Sequence, residues 1–283
     1  NEDLDDGKCE RCGSEVEQKP MKQRVLRITK YAERLLEWLD TLEREESMKD
    51  LERNWIGKSE WTQFTMKVAG TRTEGQGENI CSFDVYTTRI DTVFGMSFVA
   101  IAPEHPMLAQ MKNEKWMITN WDEIETYKEQ ANKKTQLERT ELQKDKTGIE
   151  IKGIQAINPF NGQAVPIFVA DYVLANYGTG VVMAVPAHDE RDFAFAKKYN
   201  LPITWVISPM SGKAWQSQEE MDLYIKNVLD WKECFTGHWM LVNSWDFTWL
   251  ITDEAISAMQ IRLEKNKLWG KKVNYKMQDR VFS

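Results

Sequence analysis

"VPIFVADYVLANYGTGVVMAVPAHDERDFAFAKKY", residues 165–199, contains the change of pattern on which the fold turns. Val165–Val169 and Val181–Val185 are apolar runs of strand length, separated by the turn-forming "NYGTG". A helix begins near Asp189, directly after the second run. Upstream, Ile149–Ile154 is another such run, set off by the turn "NPFNGQ" (158–163). Short strands punctuated in this way predict an α/β (α+β) chain, with a compact β-barrel-like or sandwich-like body surrounded by helices.

The same body extends outward. After "RNWIGKSE" (53–60) the period becomes two, with Phe64, Met66 and Val68 on one face, and "GTRTEGQGE" (70–78) reads as a hairpin loop. A strand over 81–88, a turn rich in threonine (Thr87, Thr88, Thr92) and a strand over 96–102 follow. Residues 115–146 are polar and predict one or two surface helices. Beyond the helix at Asp189 come a strand "ITWVIS" (203–208) and a last helix from Asp253 to Leu268, closed by Gly270. Residues 24–46 place Ile28, Tyr31, Leu35, Leu39 and Leu42 on one face of a single helix, a packing feature.

The formal net charge of -7 argues against a surface that coats nucleic acid non-specifically, so any RNA contact is expected to be local. No run of about 18 apolar residues occurs and the acidic start lacks a signal-peptide pattern, which predicts a soluble, cytoplasmic chain with no membrane partner. Four cysteines, two of them isolated, make no disulfide framework. Cys9 and Cys12 have the spacing of one zinc knuckle, which supplies half of a tetrahedral site. Either this is a bare turn or the partner pair lies upstream of residue 1.

The densest ionisable set is "AVPAHDERDFAFAKKY" (184–199). Asp189 as N-cap with Asp192 three residues on resembles a capping box. Alternatively one of these acids holds a substrate cation, with the "YGTG" glycines letting a ligand approach the backbone. No hydrolytic triad can be assembled from the three histidines, His105, His188 and His238. A hydrolase built from these residues would position water without a covalent intermediate.

"TTRIDTVFG", "RNWIGKSE" and the long stretch from "NPFNGQ" to "FAKKY" resemble bacterial leucyl-tRNA synthetases. "GKCERCGSEVEQKPMKQRVLRITKYAERLL" is similar to the family's zinc knuckle and following helix, and "VNYKMQDRVFS" to the stretch before its catalytic motif. The resemblance implies an internal fragment of such an enzyme. Residues 1–20 would be a partial zinc-knuckle segment and 21–57 a connecting helix. Residues 58–242 would be the editing domain, and 243–283 the return to the catalytic core. The class I signature motifs are absent, so the fragment would not activate leucine. ATP and magnesium would serve the parent enzyme, and zinc the full-length protein, with no cofactor needed for editing.

The function so implied is hydrolysis of the ester joining a wrong amino acid (norvaline, isoleucine or methionine) to the 3′ end of tRNA(Leu). Such second sites are needed because apolar side chains differing by a methylene are separated by only ~1–3 kcal/mol on binding. Carried over, Thr92 would be the steric gate that spares leucine. Thr87, Thr88 and Arg89 would line the pocket around the terminal adenosine and ester, with His188 beside it. Tyr177, Met183 and Val185 would shape a wall, and Asp192, with Asp189 close by, would bind the α-amino group. Partners would be tRNA and the rest of the synthetase chain, in a monomer. The competing expectation is a tRNA-end-binding module whose hydrolysis has lapsed.

Two departures stand out. Ile90 replaces a proline common in the family, which predicts a looser turn. Trp61, Trp239, Trp245 and Trp249 stand where relatives usually have glycine, and the chain carries twelve tryptophans in all. Either these positions diverged, or the source reads UGA as glycine and the sequence was translated with tryptophan there.

Overall fold

The computed structural model describes residues 4–5, 8–9, 11–14, 22–70, 79–113, 118–132, 139, 146–175, 178–208, 226 and 234–281. The chain divides into two compact units, residues 1–59 with 275–283, and residues 60–274.

In the first unit β1 (Leu4–Asp5) pairs with β2 (Lys8–Cys9), and β3 (Val25–Leu26) pairs with β11 (Arg280–Val281). The single helix expected over 24–46 is instead a 3₁₀ turn Ile28–Tyr31 followed by α1 (Ala32–Thr41) and, after a break, α2 (Glu46–Ile56). The break follows from what the unit can bury. Its core is a small cluster of Ala32, Leu39, Ile56 and Met277, and two members of the predicted stripe, Tyr31 and its last residue Leu42, remain exposed. With no apolar surface to hold Leu42, the backbone turns extended there (ψ 135°). Gly57 ends α2 at φ +57°, where an added Cβ would lie 2.5 Å from that of Lys276.

The second unit is built on one mixed sheet, into which β4 and β10 lead from the first. Its strands are β4 (Lys58–Gly70), β5 (Asn79–Thr87), β6 (Phe98–Ile101), β7 (Gly148–Ile157), β8 (Ala164–Ala170), β9 (Val181–Ala184) and β10 (Trp269–Tyr275). The order is β10-β4-β7-β8-β6-β9, with β5 also on β4. β4 and β5 form the expected antiparallel hairpin, from Thr62 opposite Thr87 to Ala69 opposite Asn79; its loop, 71–78, lies outside the described residues. β6 and β8 run parallel, and β6 and β9 antiparallel. β9, at the end of the path, comes back beside β5. Among the described residues no backbone ladder joins these two, so the sheet curls like a barrel without closing as one.

Period-two alternation sorts the central strands between two cores. Phe64, Met66, Val68, Val99, Ile101, Val165, Ile167, Val169, Val181 and Met183 enter one, which helices α3 (Pro106–Asn113), α4 (Trp121–Asn132) and α6 (Thr252–Lys265) help to cover. Phe98, Ala100, Phe168, Ala170 and Ala184 face the other, beneath α5 (Glu190–Lys198). Phe195 of α5 stacks on Phe98 with ring centroids 4.8 Å apart and meets Phe168 edge-on at 5.2 Å. This aromatic contact fixes α5 against the sheet, and with it the start of the helix at the end of β9.

Two further expectations change. "ITWVIS" forms no strand, because the Val206 N–H is taken by the His188 ring and a single bridge, Ile207 opposite Leu241, remains of a ladder. The last helix ends at Lys265 rather than at Leu268, and Gly270 does not close it. Lys267 takes the left-handed turn (φ +55°) and the Leu268 N–H reaches back to the Leu263 carbonyl, a Schellman closure without glycine.

Trp245 and Trp249 also sit at left-handed φ, +49° and +77°, and are 63% and 72% exposed. Neither gains enough burial to offset a backbone conformation that costs an L-residue ~1–2 kcal/mol, and glycine would adopt it without strain. Trp61 and Trp239 are not among the positive-φ residues, and Trp61 packs edge-on to Tyr86. The conformational case for glycine therefore holds at two of the four positions. Trp249→Gly should leave stability unchanged or raise it by up to about 1 kcal/mol, whereas Trp38→Gly, inside α1, should lower it on the order of 1 kcal/mol. Equal losses in chemical denaturation would contradict this reading of the turn.

Candidate functional site

The site lies where the curled sheet brings β5 and β9 together, so that the turn after β5 faces the turn between β9 and α5. Gly178 (φ +66°) allows the "NYGTG" loop to close on the same place, since an added Cβ would lie 2.8 Å from the Tyr86 ring. Tyr177, the wall residue expected in that loop, lies outside the described residues.

Thr87 is buried and its Oγ1 accepts the Arg89 N–H at 2.9 Å. Thr88 is exposed. A 3₁₀ turn, Ile90–Gly95, follows with all of its residues buried, Ile90 included. Within it Thr92 donates its hydroxyl to the Arg89 carbonyl at 2.7 Å. With that hydroxyl occupied, the γ-methyl is what Thr92 has left to present to a neighbour.

Arg89 is engaged within the protein. Its guanidinium makes a fork onto the fully buried carboxylate of Asp91, 2.9–3.2 Å away. It also donates to the carbonyls of Thr236 and Gly237. His188 acts on the same segment from the other side. One ring nitrogen bonds the Phe235 carbonyl at 2.9 Å and the other accepts the Val206 N–H at 3.1 Å. Burial pushes the His188 imidazole down to about 4, so the ring is neutral at physiological pH. Arg89 and His188 thus pin residues 235–237 across the site, and both ring nitrogens of His188 are occupied in doing so. Asp91 and this strap went unread in the sequence. An Arg-x-Asp pair in a turn hints at the first, and no local pattern marks the second.

Asp189 is the N-cap of α5, accepting the N–H groups of Arg191 and Asp192 at 2.9 and 3.1 Å. Asp192 does not return the bond as a capping-box partner would. Its Oδ2 instead accepts the Val185 N–H at 2.8 Å, joining the helix start to the end of β9 beside Met183 and Val185, both buried. Asp192 is itself buried, and no ion pair to it occurs among the described residues. Burial, then the neighbouring Asp189 charge, raises its carboxyl to about 8; the Val185 N–H and Arg191 oppose this. Arg191 points away, 70% exposed, toward Asp189. A buried carboxyl with one backbone donor and no fixed cation is suited to receive a cation from outside.

Cys9 is buried and Cys12 exposed in a tight turn, with the Cys9 N–H on the Ser14 carbonyl, the Gly13 N–H on the Cys9 carbonyl and Gly13 at φ +70°. Two thiols offer a zinc ion half of its set, and among the described residues no group of three His, Cys, Asp or Glu side chains gathers to hold a metal. Nor is any described helix long and apolar enough to cross a membrane. The clefts found on each unit lie elsewhere, one lined by Trp55 and 276–281 and one by Asn120, Glu150 and Tyr199 among others.

The family profile described as "Leucyl-tRNA synthetase, editing domain" matches residues 53–264. Leucine–tRNA ligases from Alkaliphilus oremlandii and Clostridium tetani are 43% and 42% identical over the whole chain, which spans 32% and 31% of their lengths. Among solved structures, the agnB2 LeuRS of Agrobacterium radiobacter K84, in ternary complex with tRNA and LeuAMS, superposes with a TM-score of 0.63 at 27% identity. The superposition covers 97% of this chain and 28% of that one.

The raised carboxyl has a consequence for stability. Between the ordinary aspartate value near 4 and about 8 the folded protein keeps a proton that the unfolded chain has lost. Stability should therefore fall as pH rises through this window and level off above it. Asp192→Asn carries no such proton and should flatten the slope. Denaturation at about pH 5 and about pH 9 checks this, and parallel slopes for the two proteins would contradict it.

Proposed function

The chain belongs to the leucyl-tRNA synthetase editing-domain family, and from that premise we propose that its site hydrolyses the ester of wrongly charged tRNA(Leu). The observation that carries this is Asp192, a buried carboxyl without a cationic partner, between a hydroxyl-bearing turn and an apolar wall. The α-amino group of an aminoacyl ester is the cation it would take: the carboxyl would release its proton to solvent, and the resulting carboxylate would pair with the ammonium. Water attacks the ester carbonyl, the bond to the ribose oxygen breaks, and that oxygen leaves with a proton, giving the amino acid and tRNA. The terminal ribose hydroxyl assists the water. No side-chain nucleophile is required, in keeping with a His188 whose nitrogens are both occupied.

Selectivity would rest on Thr92. Its methyl collides with the branched end of leucine and spares the correct product, while norvaline, isoleucine and methionine fit. Thr87 and Thr88 would surround the ester, Met183 and Val185 would form the wall, to which the resemblance adds Tyr177, and Asp189 supports Asp192 by capping its helix. Arg89 and His188 enter as positioning residues for the strap. Residues 58–242 would form the hydrolytic domain, with 1–20, 21–57 and 243–283 linking it to the rest of a cytoplasmic synthetase. The resemblance assigns that parent chain leucylation with ATP and magnesium, a zinc site completed beyond Cys9 and Cys12, and a monomeric state.

Deacylation of Ile-tRNA(Leu) and Leu-tRNA(Leu) tests the reading. Wild type should release isoleucine and spare leucine. Thr92→Ala should also release leucine, with a relative gain of about ten- to two-hundredfold, the scale of one or two misfitted methyls. Thr92→Tyr should stop both reactions. Binding of tRNA with no release of isoleucine would identify a module whose hydrolysis has lapsed, and loss of all activity in Thr92→Ala would point to a nucleophilic threonine.

A further inference from the structure

Tyr172 follows β8 and lies against α5, its ring edge-on to Phe195 with centroids 5.8 Å apart. Phe195 is three residues after Asp192, which puts both on one face of the helix. The Tyr172 hydroxyl is buried and has no hydrogen-bond partner among the described residues. A buried hydroxyl left unpaired costs on the order of 1–3 kcal/mol, so its retention calls for a use. Asp192 has the complementary need. A carboxylate offers about four acceptor positions, and the Val185 N–H fills one.

We propose that Tyr172 is a positioning residue of the aminoacyl site, whose hydroxyl turns to donate to Asp192 when that carboxyl ionises to receive the substrate's ammonium. The tyrosine rests on the Phe98–Phe168–Phe195 cluster, which holds its ring beside the helix that carries Asp192. Burial raises the phenol well above its ordinary range, and the charges of Asp192 and then Asp189 raise it further, so Tyr172 stays a donor at any working pH. The other titratable or charged groups around Asp192 are Asp189, Glu190 and Arg191 on its own helix, His188 in the preceding turn and Cys234 on the strap. None of these is an uncommitted buried hydroxyl. The ligand class, an aminoacyl ester, rests on the editing reading. The link between Tyr172 and Asp192 does not.

Titration of the Asp192 carboxyl carbon by NMR separates the two. In wild type the midpoint should lie near 8. Tyr172→Phe keeps the ring on Phe195 and should move that midpoint up by about one pH unit, the scale of one hydrogen bond to a charged group. The acid limb of kcat/KM for deacylation should move by the same amount, and in an Asp192→Asn background Tyr172→Phe should have no effect on the pH profile. An unchanged midpoint, or a uniform loss of rate at every pH, overturns the inference by giving Tyr172 a packing role alone. A shifted midpoint in a chain that deacylates nothing upholds the link and removes the editing reading instead.

Discussion

The hydrogen bond from the Val185 N–H to the Asp192 carboxyl, 2.8 Å long, joins the last residue of the β9 run to the first turn of α5 and fixes where a buried acid can stand. Much of the second unit serves that placement. Phe195 wedges α5 onto the sheet through Phe98 and Phe168, and Gly148 lets it in, since a Cβ there would lie 2.9 Å from the ring. Asp189 satisfies the helix start that would otherwise compete for the Asp192 carboxyl. The curl of the sheet then delivers the threonine turn of β5 to the same spot.

An acid so placed carries a cost. Desolvation raises the Asp192 carboxyl to about 8, which favours its protonated form at neutral pH, and a neighbouring positive charge would favour ionisation. A site of this kind would favour a cationic group without a strong resting electrostatic attraction, and under the editing reading it would suit a chain of net charge -7 whose RNA contact is local. The Arg89–Asp91 pair supplies the opposite kind of electrostatics. It is satisfied internally and spent on geometry, so its loss would leave a fully buried charge unpaired.

What the sequence made legible was whatever a local period or cap encodes. The alternation of Phe64, Met66 and Val68, the three short apolar runs and the Asp189 cap all appear in the structure where the pattern put them. What escaped depended on partners distant in the chain. Val206 looked like a strand residue until His188 took its N–H, and the helix stripe through Leu42 lacked a core to meet it. The contacts of Arg89 with the Thr236 and Gly237 carbonyls were equally out of reach, because these partners lie 147 and 148 residues away. At Trp245 and Trp249 the structure adds what the letters alone could not, a left-handed backbone under an exposed indole.

The account stands on Asp192 as the receiver of the substrate's ammonium, and one measurement on the Asp192→Ala chain tests it most directly: deacylation of Ile-tRNA(Leu) and thermal unfolding, read on the same preparation. Loss of a charge-assisted contact worth about 1.5–3 kcal/mol should cut hydrolysis by at least tenfold, and removal of a buried acid should leave the melting temperature intact or raised at neutral pH. A variant that melts early by about 1 kcal/mol of lost stability and still hydrolyses at the wild-type rate would show Asp192 to be a helix-start residue and nothing more.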